Sequence, residues 1–316
     1  MQTPTNSIKM ISPKTGIYAA SLPPFTASYE PEIPALISHV QWLLENGADG
    51  VALLGSTGEA NSMTLEQRQA IIEQSTRKLP VDRLLIGTGS CALQDAIKLT
   101  KVSIDAGVYA VLVVPPFYYK PQSEESIIRF YSELIAGVND PKLRIVFYNF
   151  PKFTGYNFDH NVIGKMKSRF GEIAAGIKDS SGNWENMSGV AQNVGDFMVY
   201  SGTETFLLEI LLTGGAGCIT ATANLIAPEC QQVFQAWKNE QLEDAKQKQK
   251  KLTSLRKVFE SYPFVSGLKS IFVDQKKDSI EWGQMMPPFQ GLMEDQLHEL
   301  KEKIKDLGLD LSKRLS

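Results

Sequence analysis

A lysine at the end of an apolar run is the first residue here that could do chemistry. The stretch "AAGIKDSSGN" (174–183) sets Lys178 straight after small apolar residues and straight before a polar, glycine-containing turn. An ordinary lysine lays its stem along apolar surface and keeps its ammonium in water. An amine at the edge of a buried strand differs, because desolvation favours the neutral form and a neutral amine attacks a carbonyl carbon to give a Schiff base. Tyr148 closes the preceding apolar run, "LRIVFYN" (143–149). Beside a nucleophilic amine its phenol could shuttle protons as a carbinolamine forms and dehydrates. Read alone, it is equally well an aromatic capping the core with its hydroxyl in water. "GSTGEA" (55–60) follows another apolar run, and there Ser56, Thr57 and unpaired backbone amides either cap a helix or bind a carboxylate. The "FYY" stretch (117–119) reads as packing or interface aromatics when taken by itself.

These residues can act together only if a fold brings their strand ends to one place. Eight short runs read as strands: "GIYAAS" (16–21), "GVALLG" (50–55), "RLLIGTG" (83–89), "YAVLVV" (109–114), "LRIVFYN" (143–149), "AAGIK" (174–178), "FMVYSG" (197–202) and "AGCIT" (216–220). Between them the apolar residues recur at helical spacing, as in Ile33, Leu36, Ile37, Val40, Leu43 and Leu44 before the stop signal at Gly47. Strands alternating with helices imply right-handed βαβ units and a parallel sheet, and eight strands favour a closed (β/α)8 TIM barrel over an open doubly wound sheet. The glycines of "GTGSCA" (87–92) lack the third glycine of a dinucleotide-binding loop and read as a plain strand-to-helix turn. The expected arrangement is an α/β barrel carrying the site over residues 1–225. Residues 226–316 then hold the last barrel helix and an appended C-terminal helical bundle with no separate catalytic content.

Composition narrows the chemistry. With 316 residues, 43% hydrophobic and 21% charged, the chain can bury a substantial core. A formal charge of −3 leaves no basic surplus for nucleic acid, and the "KQKQKK" run reads as a solvated helix face. Cys91, Cys218 and Cys230 form no CxxC pair, so neither a disulfide framework nor a zinc site is expected, and a reducing cytoplasm fits. No apolar run approaches the roughly 20 residues that cross a bilayer, so no membrane span is expected. In a parallel barrel the carboxyl ends of the strands converge on one mouth. Those ends offer a lysine, tyrosines, hydroxyls and glycine-flanked amides, with no cluster of metal ligands, which disfavours metal-dependent hydrolysis.

Taken in order, "GSTGE", "PPFYYKP", "YNFP", "GIKDSSGN", "SGTE" (201–204) and "GLKS" (267–270) resemble the dihydrodipicolinate synthase and N-acetylneuraminate lyase family from about residue 15 to 300. The resemblance implies a cytoplasmic barrel enzyme without a cofactor, binding pyruvate or the pyruvate half of a keto acid on Lys178. Tyr148 would be the proton-transfer phenol. Thr57 would relay protons to Tyr118, which reaches in from a neighbouring subunit of a tetramer built as a dimer of dimers. Ser56 and Thr57 would hold the keto-acid carboxylate, with the Ile219 carbonyl near the same end. Phe153 stands where the synthase branch keeps an arginine for the carboxylate of aspartate semialdehyde. Glu204, Thr205 and Ala221 stand where the sialic acid lyase branch keeps groups that hold glycerol-like hydroxyls, and Glu204 is retained as a substrate-binding candidate. The expected activity is therefore reversible cleavage of a 2-keto-3-deoxy or 4-hydroxy-2-keto acid into pyruvate and an aldehyde. The alternatives are the dihydrodipicolinate synthase reaction, a dehydratase acting through the same imine, and a keto-acid-binding protein with a relic site, which the presence of both Lys178 and Tyr148 disfavours.

Overall fold

Side chains that alternate across each strand divide the protein's apolar residues into an inner and an outer set. In the computed structural model, which describes residues 14–108, 110–275, 282 and 284–311, Tyr18, Ala20, Leu112, Val146, Tyr148, Tyr200 and Ile219 pack in one cluster inside the barrel. Their chain neighbours Ile17, Ala19 and Cys218 join one outer cluster, and Val111, Val113, Phe147, Ile177 and Val199 another. Strands buried on both faces read as continuous hydrophobic runs, and that is why the sequence shows them as unbroken apolar stretches.

The strands are β1 Gly16–Ala20, β2 Gly50–Leu53, β3 Leu84–Gly87, β4 Val111–Val113, β5 Ile145–Asn149, β6 Ala174–Asp179, β7 Met198–Ser201 and β8 Gly217–Thr220. They close in sequence order into a barrel of parallel strands, with β8 paired to β1. All eight expected strands are present. Tyr109, placed at the start of the fourth, lies outside the described residues.

The helices on the outside are α1 Ile33–Glu45, α2 Leu65–Thr76, α3 Leu93–Asp105, α4 Glu124–Val138, a single turn α5 Pro151–Thr154, α6 His160–Phe170, α7 Trp184–Asn193, α8 Leu207–Leu212 and α9 Ala223–Lys238. Their starts follow ordinary capping rules. Thr64 and Ser123 form capping boxes for α2 and α4, and the Asp159 carboxylate accepts from Asn161 and Val162 N–H at the start of α6.

Beyond α9 lie α10 Leu242–Glu260, α11 Phe264–Gln275 and α12 Glu294–Asp306. The C-terminal residues 276–281, 283 and 312–316 lie outside the described residues, as do 1–13. Leu252, Leu255, Phe259, Leu268, Ile271 and Phe272 belong to the same outer cluster as Ile17 and Leu22, so these helices share the barrel's core. Two buried ion pairs also join them to the strand ends. Arg256 of α10 reaches Glu204, just past β7, at 3.2 Å. Lys269 of α11 reaches Glu59, in the loop after β2, at 2.5 Å.

Breaking a buried pair by removing one partner strands the other charge, at a cost of about 3–5 kcal/mol. Glu204 has no solvent exposure and would be left that way by Arg256→Met. That variant is expected to lose stability of about that size in a denaturant titration, and a loss under about 1 kcal/mol would contradict the account.

Candidate active site

Parallel pairing of β5 with β6 sets two residues of each strand side by side. Tyr148 pairs with Lys178 and Asn149 with Asp179. Period-two alternation then sends the two pairs to opposite faces. Lys178 and Tyr148 point into the barrel, where both are almost fully buried and the Lys178 ammonium lies 4.5 Å from the centre of the phenol ring. Asn149 and Asp179 point outward. There Asp179 Oδ2 accepts from the Asn149 amide at 3.1 Å and from the Asn186 amide of α7 at 3.0 Å, while Oδ1 accepts from Ser181 N–H at 2.8 Å. Asn149 Oδ1 in turn accepts from Phe158 N–H at 3.1 Å. A buried carboxylate with its oxygens engaged resists sliding of one strand past the other, so this outer network fixes the inner pair's register.

The other wall is the loop after β2. Leu54 takes a left-handed conformation (φ 58°) and turns the chain across the end of β3. A Cβ on Gly87 would meet the Leu54 carbonyl oxygen at 2.1 Å, so β3 needs a glycine there. Arg68 of α2, itself buried, donates to the carbonyls of Gly87 and Gly89 at 3.1 and 3.0 Å and pins that strand end from outside. Burial pulls its guanidinium down to about 10, with Asp95 opposing. The loop delivers Ser56 Oγ to 3.5 Å from the Tyr148 hydroxyl, and either oxygen can donate. A small cleft at this point is lined by Gly55, Ser56, Asn61, Gly89, Val114 and Tyr148. Half-buried Thr57 follows Ser56 on the same loop, and Ile219 of β8 packs in the interior cluster with Tyr148.

The structure thus brings together Lys178, Tyr148, Ser56 and Ile219, with Thr57 next to Ser56 in the chain. It does not bring in Tyr118, which is 76% exposed on the connection after β4 and packs edge-on against Tyr119 at 5.1 Å. Phe153 sits on α5, mostly exposed, with its ring 4.5 Å from that of Phe150, which lies 5.6 Å from Tyr148.

Glu204 requires a correction. Expected to hold substrate hydroxyls, it is fully buried, with Oε2 accepting from Thr220 at 2.6 Å and Oε1 from Thr222 at 2.5 Å, besides its pairing with Arg256. Both oxygens are engaged in joining β7, β8 and α10, and without solvent exposure the carboxylate presents neither to a sugar hydroxyl. Sequence reasoning also passed over Gly87 and Gly89, set aside with the turn "GTGSCA", and Asn61, for which the sequence carries no signal. Among the described residues no three His, Cys, Asp or Glu side chains gather to hold a metal ion, and no helix is long and apolar enough to cross a membrane.

Comparison with known proteins agrees with this geometry. A sequence profile described as the dihydrodipicolinate synthetase family matches residues 13–307. A DapA-like lyase of Chloroflexus aurantiacus is 32% identical over 70% of this chain and 74% of its own. The 4-hydroxy-tetrahydrodipicolinate synthase of Bacillus subtilis is 28% identical over 92% of this chain and 98% of its own. Among solved structures, YagE of E. coli K12, a prophage protein of the dihydrodipicolinic acid synthase family crystallised with pyruvate, superposes with a TM-score of 0.85. It is 27% identical, over 94% of this chain and 99% of that one. With the profile spanning nearly the whole chain and the barrel superposing over the same extent, the protein belongs to the dihydrodipicolinate synthetase family of carbon–carbon lyases.

Proposed function

We propose that the protein is a pyruvate-dependent class I aldolase that cleaves or forms a 2-keto-3-deoxy sugar acid or related 4-hydroxy-2-keto acid on Lys178. The observation that carries this reading is the buried ammonium of Lys178 in register with Tyr148, whose hydroxyl faces Ser56. In the cleavage direction the amine adds to the C2 carbonyl, and the carbinolamine loses water to give an iminium. That cation draws electrons from the C3–C4 bond. Deprotonation of the C4 hydroxyl breaks the bond, releases an aldehyde and leaves an enamine, which takes a proton at C3. Water then adds to the iminium and frees pyruvate. Tyr148 carries protons to and from the carbinolamine, with Thr57 as relay. The Ser56–Thr57 loop receives the carboxylate through its hydroxyls and amides, with the Ile219 carbonyl near the same end. Tyr118, exposed on the single chain, completes the relay of a neighbouring copy in a dimer of dimers.

The aldehyde half meets a different surface. Tyr148, Phe150 and Phe153 make an aromatic shelf beside the cleft, and Phe153 stands where the synthase branch has its arginine. A phenyl ring cannot pair with a carboxylate and would leave it desolvated. The shelf favours an uncharged aldehyde. The competing reading, condensation of pyruvate with aspartate semialdehyde, is supported by the name of the B. subtilis relative and opposed by Phe153. A dehydratase using the same imine is told apart by its products, since it releases no pyruvate.

Three outcomes follow. Borohydride added with pyruvate is expected to leave a reduced pyruvyl mass on a peptide containing Lys178; its appearance on another lysine, or nowhere, sinks the assignment. Tyr148→Phe keeps the packed ring and removes one hydroxyl, so turnover should fall about 10²–10⁴-fold with the thermal midpoint nearly unchanged. Activity within a factor of about two of the parent would make Tyr148 a packing residue. Lastly, the parent should condense pyruvate with glyceraldehyde or glycolaldehyde better than with aspartate semialdehyde, and Phe153→Arg should shift that ratio toward the semialdehyde by about 10- to 100-fold. A parent that prefers the semialdehyde is a synthase.

A further inference from the structure

We propose that the buried Glu59–Lys269 ion pair is a positioning device, by which the C-terminal helices hold the Ser56–Thr57 loop against Tyr148. The inference rests on the reading of that loop as the carboxylate-binding element.

Both side chains are fully buried, and Lys269 Nζ approaches Glu59 Oε1 at 2.5 Å as an ion pair. Each partner also ties down a further stretch of chain. Glu59 Oε2 accepts from Met286 N–H at 2.7 Å. The ammonium donates to the Gln284 carbonyl at 2.9 Å and lies 4.5 Å from the centre of the Phe25 ring. The pair therefore gathers the loop after β2, helix α11, the segment 284–286 and the connection after β1. Burial pulls the Lys269 ammonium below the ordinary lysine value, with Glu59 pulling it back up.

Stability alone does not account for such a pair, because well-packed apolar residues of similar volume do as well or better. The loop's conformation supplies the reason. Leu54 (φ 58°) and Glu59 (φ 49°) are both left-handed and neither is glycine, and they bracket Gly55–Gly58. Within the loop, Glu59 N–H donates to Ser56 O at 3.2 Å and Ala60 N–H to Gly55 O at 3.4 Å, which are long bonds. Strained residues persist only where their surroundings over-determine them. Here the Glu59 carboxylate supplies that external hold, three residues from the serine that faces the Tyr148 hydroxyl at 3.5 Å. Released from it, the loop relaxes and Ser56 and Thr57 drift from the carboxylate position, although neither charged residue touches substrate.

The test replaces both charges at once. Glu59→Met with Lys269→Met leaves no unpaired buried charge, so the double variant is expected to fold, with a thermal midpoint lowered only by the partners that Met286 N–H and the Gln284 carbonyl lose. Two readouts are compared with the parent: amide hydrogen exchange across residues 54–63, and the pyruvate concentration that half-saturates borohydride trapping. Exchange in that segment should quicken at least about tenfold while the rest of the barrel keeps its parental rates. Half-saturation should rise about 10- to 100-fold, with maximal trapping little changed. The milder pair Glu59→Gln with Lys269→Met keeps an acceptor for Met286 N–H without stranding the ammonium and should shift both readouts in the same direction by less; it decides the matter if the first double variant fails to fold. Parental exchange and parental half-saturation in either variant overturn the proposal, as does exchange quickened throughout the chain, which marks a stability element. A parent that traps no pyruvate refutes the functional reading instead, and the exchange measurement then decides the inference by itself.

Discussion

The register of β5 against β6 is the constraint on which the site depends. Tyr148 meets Lys178 on the inner face only because Asn149 meets Asp179 on the outer one. A slip of β6 by one residue would turn its faces over, burying the Asp179 carboxylate in the barrel and carrying the Lys178 amine outward, away from Tyr148. The outer network makes that slip costly, since Asp179 would lose the Asn149 and Asn186 donors together. A buried acceptor left without donors costs about 1–3 kcal/mol, more when charged. Chemistry on one side of the sheet is thus held in place by polar contacts on the other.

The C-terminal helices apply the same logic at longer range. Glu204–Arg256 and Glu59–Lys269 each set a charge from α10 or α11 against a carboxylate at a strand end. Both carboxylates lie at the mouth of the barrel, and neither is free for substrate. The strand ends are therefore tied to elements outside the eight βα units. Phe150 and Phe153 remain as the wall against which the aldehyde half would lie.

Much of this was legible in the sequence because it follows from local pattern. Strands buried on both faces announce themselves as apolar runs, and Lys178 stands out because a charge ends one of them. Tyr148 became a candidate by ending the run before it, an argument from chain order that parallel pairing converts into contact. What stayed hidden depends on tertiary partners. "GSTGE" and "GLKS" were both noted, yet nothing local says that Glu59 and Lys269, far apart in the chain, meet without solvent. Glu204 misled for the same reason: a carboxylate at a strand end reads as a ligand until Arg256, Thr220 and Thr222 are seen to enclose it. Tyr118 is exposed on the single chain, and nothing local in the sequence signals that exposure.

The central claim is that Lys178 and Tyr148 form one reacting unit, and a crystal structure of the protein soaked with pyruvate tests it most directly. The account predicts continuous density from Lys178 Nζ to the C2 carbon of pyruvate, with the Tyr148 hydroxyl beside the new bond and the carboxylate on the Ser56–Thr57 loop. Pyruvate bound without a covalent link, or joined to another lysine while Lys178 stays free, would contradict it.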